Sequence, residues 1–137
     1  MAAKTRIRER GGQMLKTYAP TEHQEQVALF QWAGISERAY PELALLHAVP
    51  NGGSRHPAEA KNLKAAGVKP GVPDICLPVP RGKYHGLYIE LKSSKGKLSE
   101  YQDQWLKSLS HQGFLALCCH GFDEAKSAIL NYLFGRA

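Results

Sequence analysis

The chain has 137 residues, with 18 Lys and Arg against 12 Asp and Glu, so its formal net charge is +6. This length favours one domain, because two folds would each be too small to bury a good core. A composition that is 43% hydrophobic and 22% charged excludes a disordered chain, and no apolar run approaches the roughly 20 residues of a membrane span. Three cysteines without a Cys-x-x-Cys pair exclude a disulfide framework and argue against a structural zinc site.

The positive charge is concentrated in the middle of the chain. Residues 51–97 hold nine bases and three acids, and residues 1–20 hold five bases and one acid. Residues 21–50 and 98–137 have a small excess of acids. A basic segment that extends over several predicted elements is typical of a phosphate-binding surface. A solvated face without a partner remains the alternative.

The first predicted elements are an arm and a helix. Residues 1–20 are expected to be a basic, flexible arm, and residues 21–137 are expected to form one domain. Thr21 and Gln24 have the spacing of a capping box, so a helix should begin there. Gly34 is expected to end this helix.

Apolar runs and turn residues then predict four strands and three further helices. The strands cover Leu43–Val49, Asp74–Val79, Gly86–Lys92 and Phe114–Cys119. The helices begin near Pro57, Ser99 and Asp123, and the first two end at Gly67 and Gly113. The first strand is a continuous apolar run and is expected to be buried on both faces. The order α β α β β α β α predicts an α/β fold in which helices flank a mixed sheet.

The second and third predicted strands form a hairpin that brings charged side chains together. If the turn centres near Gly82, residues whose numbers sum to about 164 face each other, which pairs Asp74 with Glu90. Lys92 shares their face because side chains alternate along a strand. Two adjacent carboxylates repel each other, and Mg²⁺ or Mn²⁺ relieves this repulsion while it leaves positions for phosphate oxygens. An exposed strand face with a weak surface ion pair is the alternative.

Several segments resemble the VRR-NUC (virus-type replication-repair nuclease) family, a branch of the PD-(D/E)xK nucleases. The resemblance spans residues 20–134 and includes Gly71-Val72-Pro73-Asp74, Gly86 to Lys92, Leu98-Ser99 with Gln102, Thr21-Glu22 with Gln26, and Pro50 to Gly53 with Arg55. It implies a restriction-endonuclease-like mixed sheet flanked by helices. It also implies a Mg²⁺- or Mn²⁺-dependent endonuclease that hydrolyses phosphodiester bonds of DNA.

The resemblance also implies roles for individual residues. Asp74, Glu90, the backbone carbonyl of Leu91 and Glu22 would hold the metal. Lys92 would orient or activate the attacking water.

Two assignments remain open in the sequence. Glu25 lies close enough to Glu22 to be the carboxylate that the first helix contributes. Gln102 is either a further catalytic residue or only the capping-box partner of Ser99.

The basic segment contains the residues that we expect to contact DNA. These are Arg55, Lys61, Lys64, Lys69, Lys95 and Lys97. Exposed bases of this kind also occur as plain solvated charges.

The stand-alone members of the family imply a homodimer that resolves four-way Holliday junctions, without membrane association. The expected compartment is the cytoplasm of a bacterium or, for a phage protein, of its host cell. Apolar side chains are candidates for the dimer surface: Phe30, Trp32, Tyr40, Tyr132 and Phe134. The alternatives are a flap nuclease, a general DNA or RNA nuclease and a DNA-binding module that does not cut. The presence of Asp74, Glu90 and Lys92 together favours an enzyme over such a module.

Overall fold

The computed structural model describes residues 6–10, 13–17, 19–50 and 56–137. Its strands are β1 (Arg6–Arg10), β2 (Gln13–Thr17), β3 (His47–Ala48), β4 (Ile75–Leu77), β5 (Leu87–Lys92) and β6 (Leu115–His120). Its α-helices are α1 (Glu22–Ser36), α2 (Pro57–Ala65), α3 (Glu100–His111) and α4 (Phe122–Leu133). No helix within the described ranges is long and apolar enough to cross a membrane.

One four-stranded sheet organises the molecule, in the order β3-β4-β5-β6. β3, β4 and β5 pair antiparallel, whereas β6 runs parallel to β5. The mixed sheet and its flanking helices confirm the predicted α/β class.

The predicted register of the central hairpin is confirmed. β4 and β5 pair Ile75 with Ile89 and Leu77 with Leu87, so the residue numbers of each pair sum to 164. The same register, continued by one residue, places Asp74 opposite Glu90 at the end of the hairpin.

The two faces of β5 differ in chemistry. Leu87, Ile89 and Leu91 are at most 1% exposed and belong to the hydrophobic core. Buried residues of α1 and α4, among them Leu29 and Ile129, complete this core. Side chains alternate along the strand, so Glu90 and Lys92 lie on the opposite face.

The predicted strand at Leu43–Val49 is wrong over most of its length. Pro41–Leu45 form a 3₁₀ helix, and only His47–Ala48 belong to β3, where both residues are exposed. A short apolar run fits a helix and a strand equally well. The proline at its start suits a first helical turn, and the three-residue spacing of a 3₁₀ helix places both Leu43 and Leu46 in the core.

Other boundaries also differ from the sequence-based prediction, and those of α1 and β4 have a clear physical reason. α1 continues through Gly34, which has open space around its Cα, and ends at Ser36. β4 ends at Leu77, ahead of Pro78, because proline lacks the N–H that would continue the ladder.

The predicted arm contains two strands that were not predicted. β1 and β2 pair antiparallel from Arg6 opposite Thr17 to Arg10 opposite Gln13. The Gly-Gly dipeptide between them in the sequence is a recognised hairpin signal.

Candidate active site

The predicted convergence of Asp74 and Glu90 lies at the open end of the β4–β5 hairpin. Asp74 directly precedes β4, and its Oδ2 accepts a hydrogen bond from the backbone N–H of Leu91 at 2.9 Å. Asp74 is 8% exposed and Glu90 is 1% exposed. Carboxyl groups are rarely buried without a partner that offsets the loss of hydration.

The two oxygens of Glu90 have different surroundings. Oε1 accepts a hydrogen bond from Nε2 of Gln102 at 2.8 Å and lies 3.6 Å from Nζ of Lys92. Oε2 is buried and accepts no hydrogen bond from a donor group of the described residues. An oxygen of this kind is available to a ligand that the protein chain does not supply.

The electrostatic environment of Glu90 disfavours its charge. Burial is the main cause, and the negative charge of Asp74 is the second. With a hydrogen bond between the two carboxyl groups and the charge of Glu22, they raise the pKa of Glu90 to about 8 against an opposing effect of Lys92. A bound cation would reverse this preference because it favours the ionised carboxylate.

The structure distinguishes the two glutamates of α1. Burial and the charge of Asp74 raise the pKa of Glu22, and Lys92 lowers it, so Glu22 lies within electrostatic range of both site residues. Glu25 instead binds α4, where its Oε2 accepts a hydrogen bond from the backbone N–H of Phe122 at 2.6 Å. Of the two, Glu22 is therefore the glutamate that interacts with the charges of Asp74 and Lys92.

Gln102 performs both tasks that the sequence left open. Its Oε1 accepts a hydrogen bond from the backbone N–H of Ser99 at 2.9 Å, which completes the capping box of α3. Its Nε2 donates to Glu90. One amide thus fixes the start of α3 and the position of a buried carboxylate.

The loop that precedes Asp74 packs against α3. Gly71 has φ +86°, and a Cβ built on it would lie 2.6 Å from the carbonyl carbon of Tyr101. Only glycine permits this conformation and this contact. The contact ties the approach of Asp74 to the helix that carries Gln102.

The predicted DNA contacts lie on the surface. The side chains of Lys61, Lys64, Lys69, Lys95 and Lys97 are all exposed. Arg55 and the Asn51–Gly53 turn lie outside the described residues.

Cys118 is a site neighbour that sequence reasoning missed. It pairs with Glu90 in the parallel register of β5 and β6. Burial is the main cause of its raised pKa, and the charge of Glu90 adds to it. No local turn fixes a parallel register, so the sequence held no signal for this neighbour.

The donor set at this end of the sheet suits a hard divalent cation. Carboxylate and carbonyl oxygens are the ligands that Mg²⁺ and Mn²⁺ prefer, and Mg²⁺ in particular retains several waters. Within the part of the chain that the structure describes, no group of three or more His, Cys, Asp or Glu side chains could hold a metal ion. Asp74 and Glu90 would therefore supply the principal protein ligands, and water or phosphate would complete the coordination.

Comparisons with known proteins agree with this geometry. The family model described as "VRR-NUC domain" matches residues 13–123. A solved structure named "VRR_NUC domain protein" is similar at 29% sequence identity and a TM-score of 0.74, over 87% of this chain and 93% of that chain. No curated protein matches the chain. The matched residues contain Asp74, Glu90, Lys92 and Gln102.

Proposed function

Because this chain belongs to the VRR-NUC family, we propose that it is a divalent-metal-dependent endonuclease that cuts DNA at the Asp74–Glu90 site. The family match confirms the resemblance seen in the sequence and makes the chain a nuclease of the PD-(D/E)xK type, hence a hydrolase. Nucleases of this family generally depend on a divalent metal, and a nuclease domain implies DNA binding.

One observation carries the assignment of the site. Glu90 is buried beside Asp74, and its Oε2 accepts no hydrogen bond from a donor group of the described residues. A structural ion pair would satisfy both oxygens, because an unpaired buried acceptor costs about 1–3 kcal/mol. A metal-binding site can tolerate this cost, because a bound cation would satisfy the unpaired oxygen.

The residues around Glu90 have separable roles. Asp74 and Glu90 would hold the cation together with the carbonyl of Leu91. Glu22 forms no three-residue metal cluster with them and would contribute its negative charge from α1. When bound, the cation would polarise the scissile phosphate and favour hydroxide over water. The N–H of Leu91 already orients the Asp74 carboxylate.

Lys92 supplies positive charge on the substrate side of the site. Its side chain is 12% exposed and its Nζ lies 3.6 Å from Glu90. An ammonium group at this position can hold the attacking water or a phosphate oxygen through one of its three donors. We assign Lys92 this role.

Branched DNA is the substrate that we propose, with a homodimer as the active form. Each domain contains one such site, and the paired cuts at a four-way junction lie on strands related by a two-fold axis. A two-fold dimer supplies two sites from one self-complementary surface.

Of the apolar candidates for the dimer surface, Tyr132 is fully buried and donates a hydrogen bond to the carbonyl of Val79, so it belongs to the core and not to a dimer surface. Phe134 is 52% exposed and remains a candidate.

A substrate panel tests this proposal. Purified protein is incubated with Mg²⁺, Mn²⁺ or EDTA. The labelled substrates, tested separately, are four-way, flap, linear duplex and single-stranded DNA, and duplex RNA. We expect metal-dependent, symmetric nicking of the junction and a mass in light scattering of about twice 15.1 kDa. If the protein is a monomer that cuts only flaps, the proposed nuclease function stands and the proposed junction substrate is wrong. If the protein binds DNA but cuts none of the substrates with Mg²⁺ or Mn²⁺, the proposal that it is an enzyme is wrong.

A further inference from the structure

α2 differs from the other helices of this protein in how little of it is packed. None of its nine residues, all of which the structure describes, is buried. The same is true of α3, but α3 packs against a strand of the sheet and, within the described ranges, α2 does not. α1 and α4 pack against each other and contribute buried residues to the core, and α3 packs against β6 behind a complete capping box. Among the described elements, α2 packs against no helix or strand to a comparable extent.

A helix of this length gains little stability by itself. Helices shorter than about 12–15 residues are marginal in water, because most helical stability in proteins comes from packing of an apolar face. Two apolar residues of α2, Ala60 and Leu63, are half-buried. They line a cleft of about 150 Å³ together with Lys64, Val68, Lys69 and Pro70. Among the described residues, α2 therefore packs mainly against the segment that follows it, residues 68–70.

The exposed side of α2 has a chemistry that selects one class of partner. Lys61 and Lys64 are three residues apart and so lie on one helical face, and Lys69 follows just after the helix. All three are exposed, and Glu59 is the one acid between residues 57 and 69. Such a face complements a polyanion.

The chain connects this face directly to the active site. Lys69 lies two residues before Gly71, whose backbone contacts Tyr101 of α3. Asp74 follows Lys69 by five residues, so their Cα atoms are at most about 18 Å apart. A polyanion as long as a DNA strand can therefore contact Lys69 and Asp74 at the same time.

We propose that α2 is a substrate-stabilised helix, in which Lys61, Lys64 and Lys69 bind consecutive phosphates of the DNA beside the cleavage site. Bound phosphates supply the stabilisation that packing does not, and the Gly71 contact transmits the position of α2 to Asp74. The inference rests on the proposed nuclease function for the identity of the polyanion.

Hydrogen exchange measured by mass spectrometry tests the stabilisation directly. The wild-type protein is compared in EDTA with and without a saturating 24-base-pair duplex, so that no cleavage occurs. We expect exchange of the α2 amides to slow at least tenfold when DNA binds, while amides in the cores of α1 and α4 change little. Unchanged exchange in α2 at saturation would overturn the proposal.

A matched pair of variants tests the phosphate contacts. Lys61→Gln/Lys64→Gln/Lys69→Gln is compared with Arg38→Gln/Lys83→Gln/Lys107→Gln, which removes the same charge from exposed positions elsewhere. Each phosphate contact contributes about 0.9 to the slope of log K against log salt concentration. The α2 triple variant should therefore lower that slope by about 2 to 3, and the control by less than 1. Equal slopes in the two variants would contradict the assignment.

The two proposals fail in different ways. If the wild type cuts DNA with Mg²⁺ or Mn²⁺ but α2 exchange and salt slope do not respond as expected, the nuclease function stands and the role of α2 is wrong. If α2 is protected by the duplex but the protein cuts nothing with either metal, α2 is a DNA-binding element and the nuclease function is wrong.

Discussion

Gln102 donates a hydrogen bond from its Nε2 to Oε1 of the buried Glu90 at 2.8 Å. The same side chain accepts the backbone N–H of Ser99 and so caps α3. The first turn of a helix thus holds a site carboxylate in place. The capping function and the site function can be separated by substitution, because they use different atoms of one amide.

Gln102→Glu removes the donor to Glu90 and retains the cap, since glutamate also serves in a capping box. A hydrogen bond to a charged group contributes about 1.5–3 kcal/mol, so we expect DNA cleavage to fall by about 10- to 100-fold. Ser99→Ala is the control: it should lower the free energy of unfolding by about 1 kcal/mol and leave cleavage within about threefold. Single-turnover cleavage and urea unfolding measure the two effects. Wild-type cleavage by Gln102→Glu would show that the hydrogen bond has no role at the site.

Glu25 should position α1 relative to α4. Glu25→Ala removes the acceptor for the N–H of Phe122 and should lower the free energy of unfolding by about 1–2 kcal/mol. Glu25→Gln keeps an acceptor oxygen and should lose less than half of that. Because Glu22 lies one turn away on α1, the alanine variant should also need more Mn²⁺ for half-maximal cleavage. Glu37→Ala, at the exposed opposite end of α1, is the control; equal stability of the two alanine variants would refute the role of Glu25.

Gly71→Ala should disturb the loop before Asp74 far more than a comparable change elsewhere. Its Cβ would clash with the backbone of Tyr101, and its φ of +86° would also be strained. Gly67→Ala has the same kind of strain, with φ +96°, but nothing lies within 4 Å of its Cβ. We expect Gly67→Ala to cost about 1–2 kcal/mol and Gly71→Ala about 1–3 kcal/mol more, measured by urea unfolding. Equal midpoints for the two variants would mean that the loop does not need this contact.

The stability of the metal-free protein should fall as the pH rises. Burial and Asp74 raise the pKa of Glu90 from 4.5 to about 8, so the folded state binds a proton that the unfolded state releases above about pH 4.5. The stabilisation is complete below pH 4.5 and is lost as the pH rises through about 8. One pKa unit corresponds to about 1.4 kcal/mol, so the loss is on the order of a few kcal/mol.

Thermal unfolding in EDTA between pH 4.5 and 8 measures this loss. Glu90→Gln has no proton to release and should show a flatter profile and a higher unfolding temperature than the wild type at pH 8. Added Mn²⁺ should stabilise the wild type at pH 8 and have little effect on the variant. Parallel profiles of the two proteins would show that Glu90 does not titrate as described.

Local chemistry made parts of the fold predictable from the sequence. Thr21 and Ser99 each begin a capping box with a glutamine three residues later, and both boxes are present. The β4–β5 register followed from one turn near Gly82 and from the alternation of side chains along β5. These features depend on residues that are close in sequence, so a pattern can specify them.

Features that depend on distant residues could not be predicted. The contact between Glu25 and Phe122 joins residues 97 positions apart. The pairing of Glu90 with Cys118 depends on a parallel register that no turn fixes. The period of the apolar run Leu43–Val49 does not distinguish a strand from a helix, so the sequence predicts a strand where Pro41–Leu45 form a 3₁₀ helix. Packing of Leu43 into the core accompanies the helical form.

Asp74 and Glu90 are proposed to form the metal site of a DNA endonuclease. The most direct measurement is the initial rate at which wild-type and Asp74→Asn protein cut a labelled four-way junction with Mn²⁺ and in EDTA, with DNA affinity measured in parallel. We expect that the wild type cuts only with metal, and that Asp74→Asn binds the junction with similar affinity but cuts at least about 10³-fold more slowly. Cleavage by Asp74→Asn at the wild-type rate, or equal cleavage by the wild type in EDTA, would contradict this proposal.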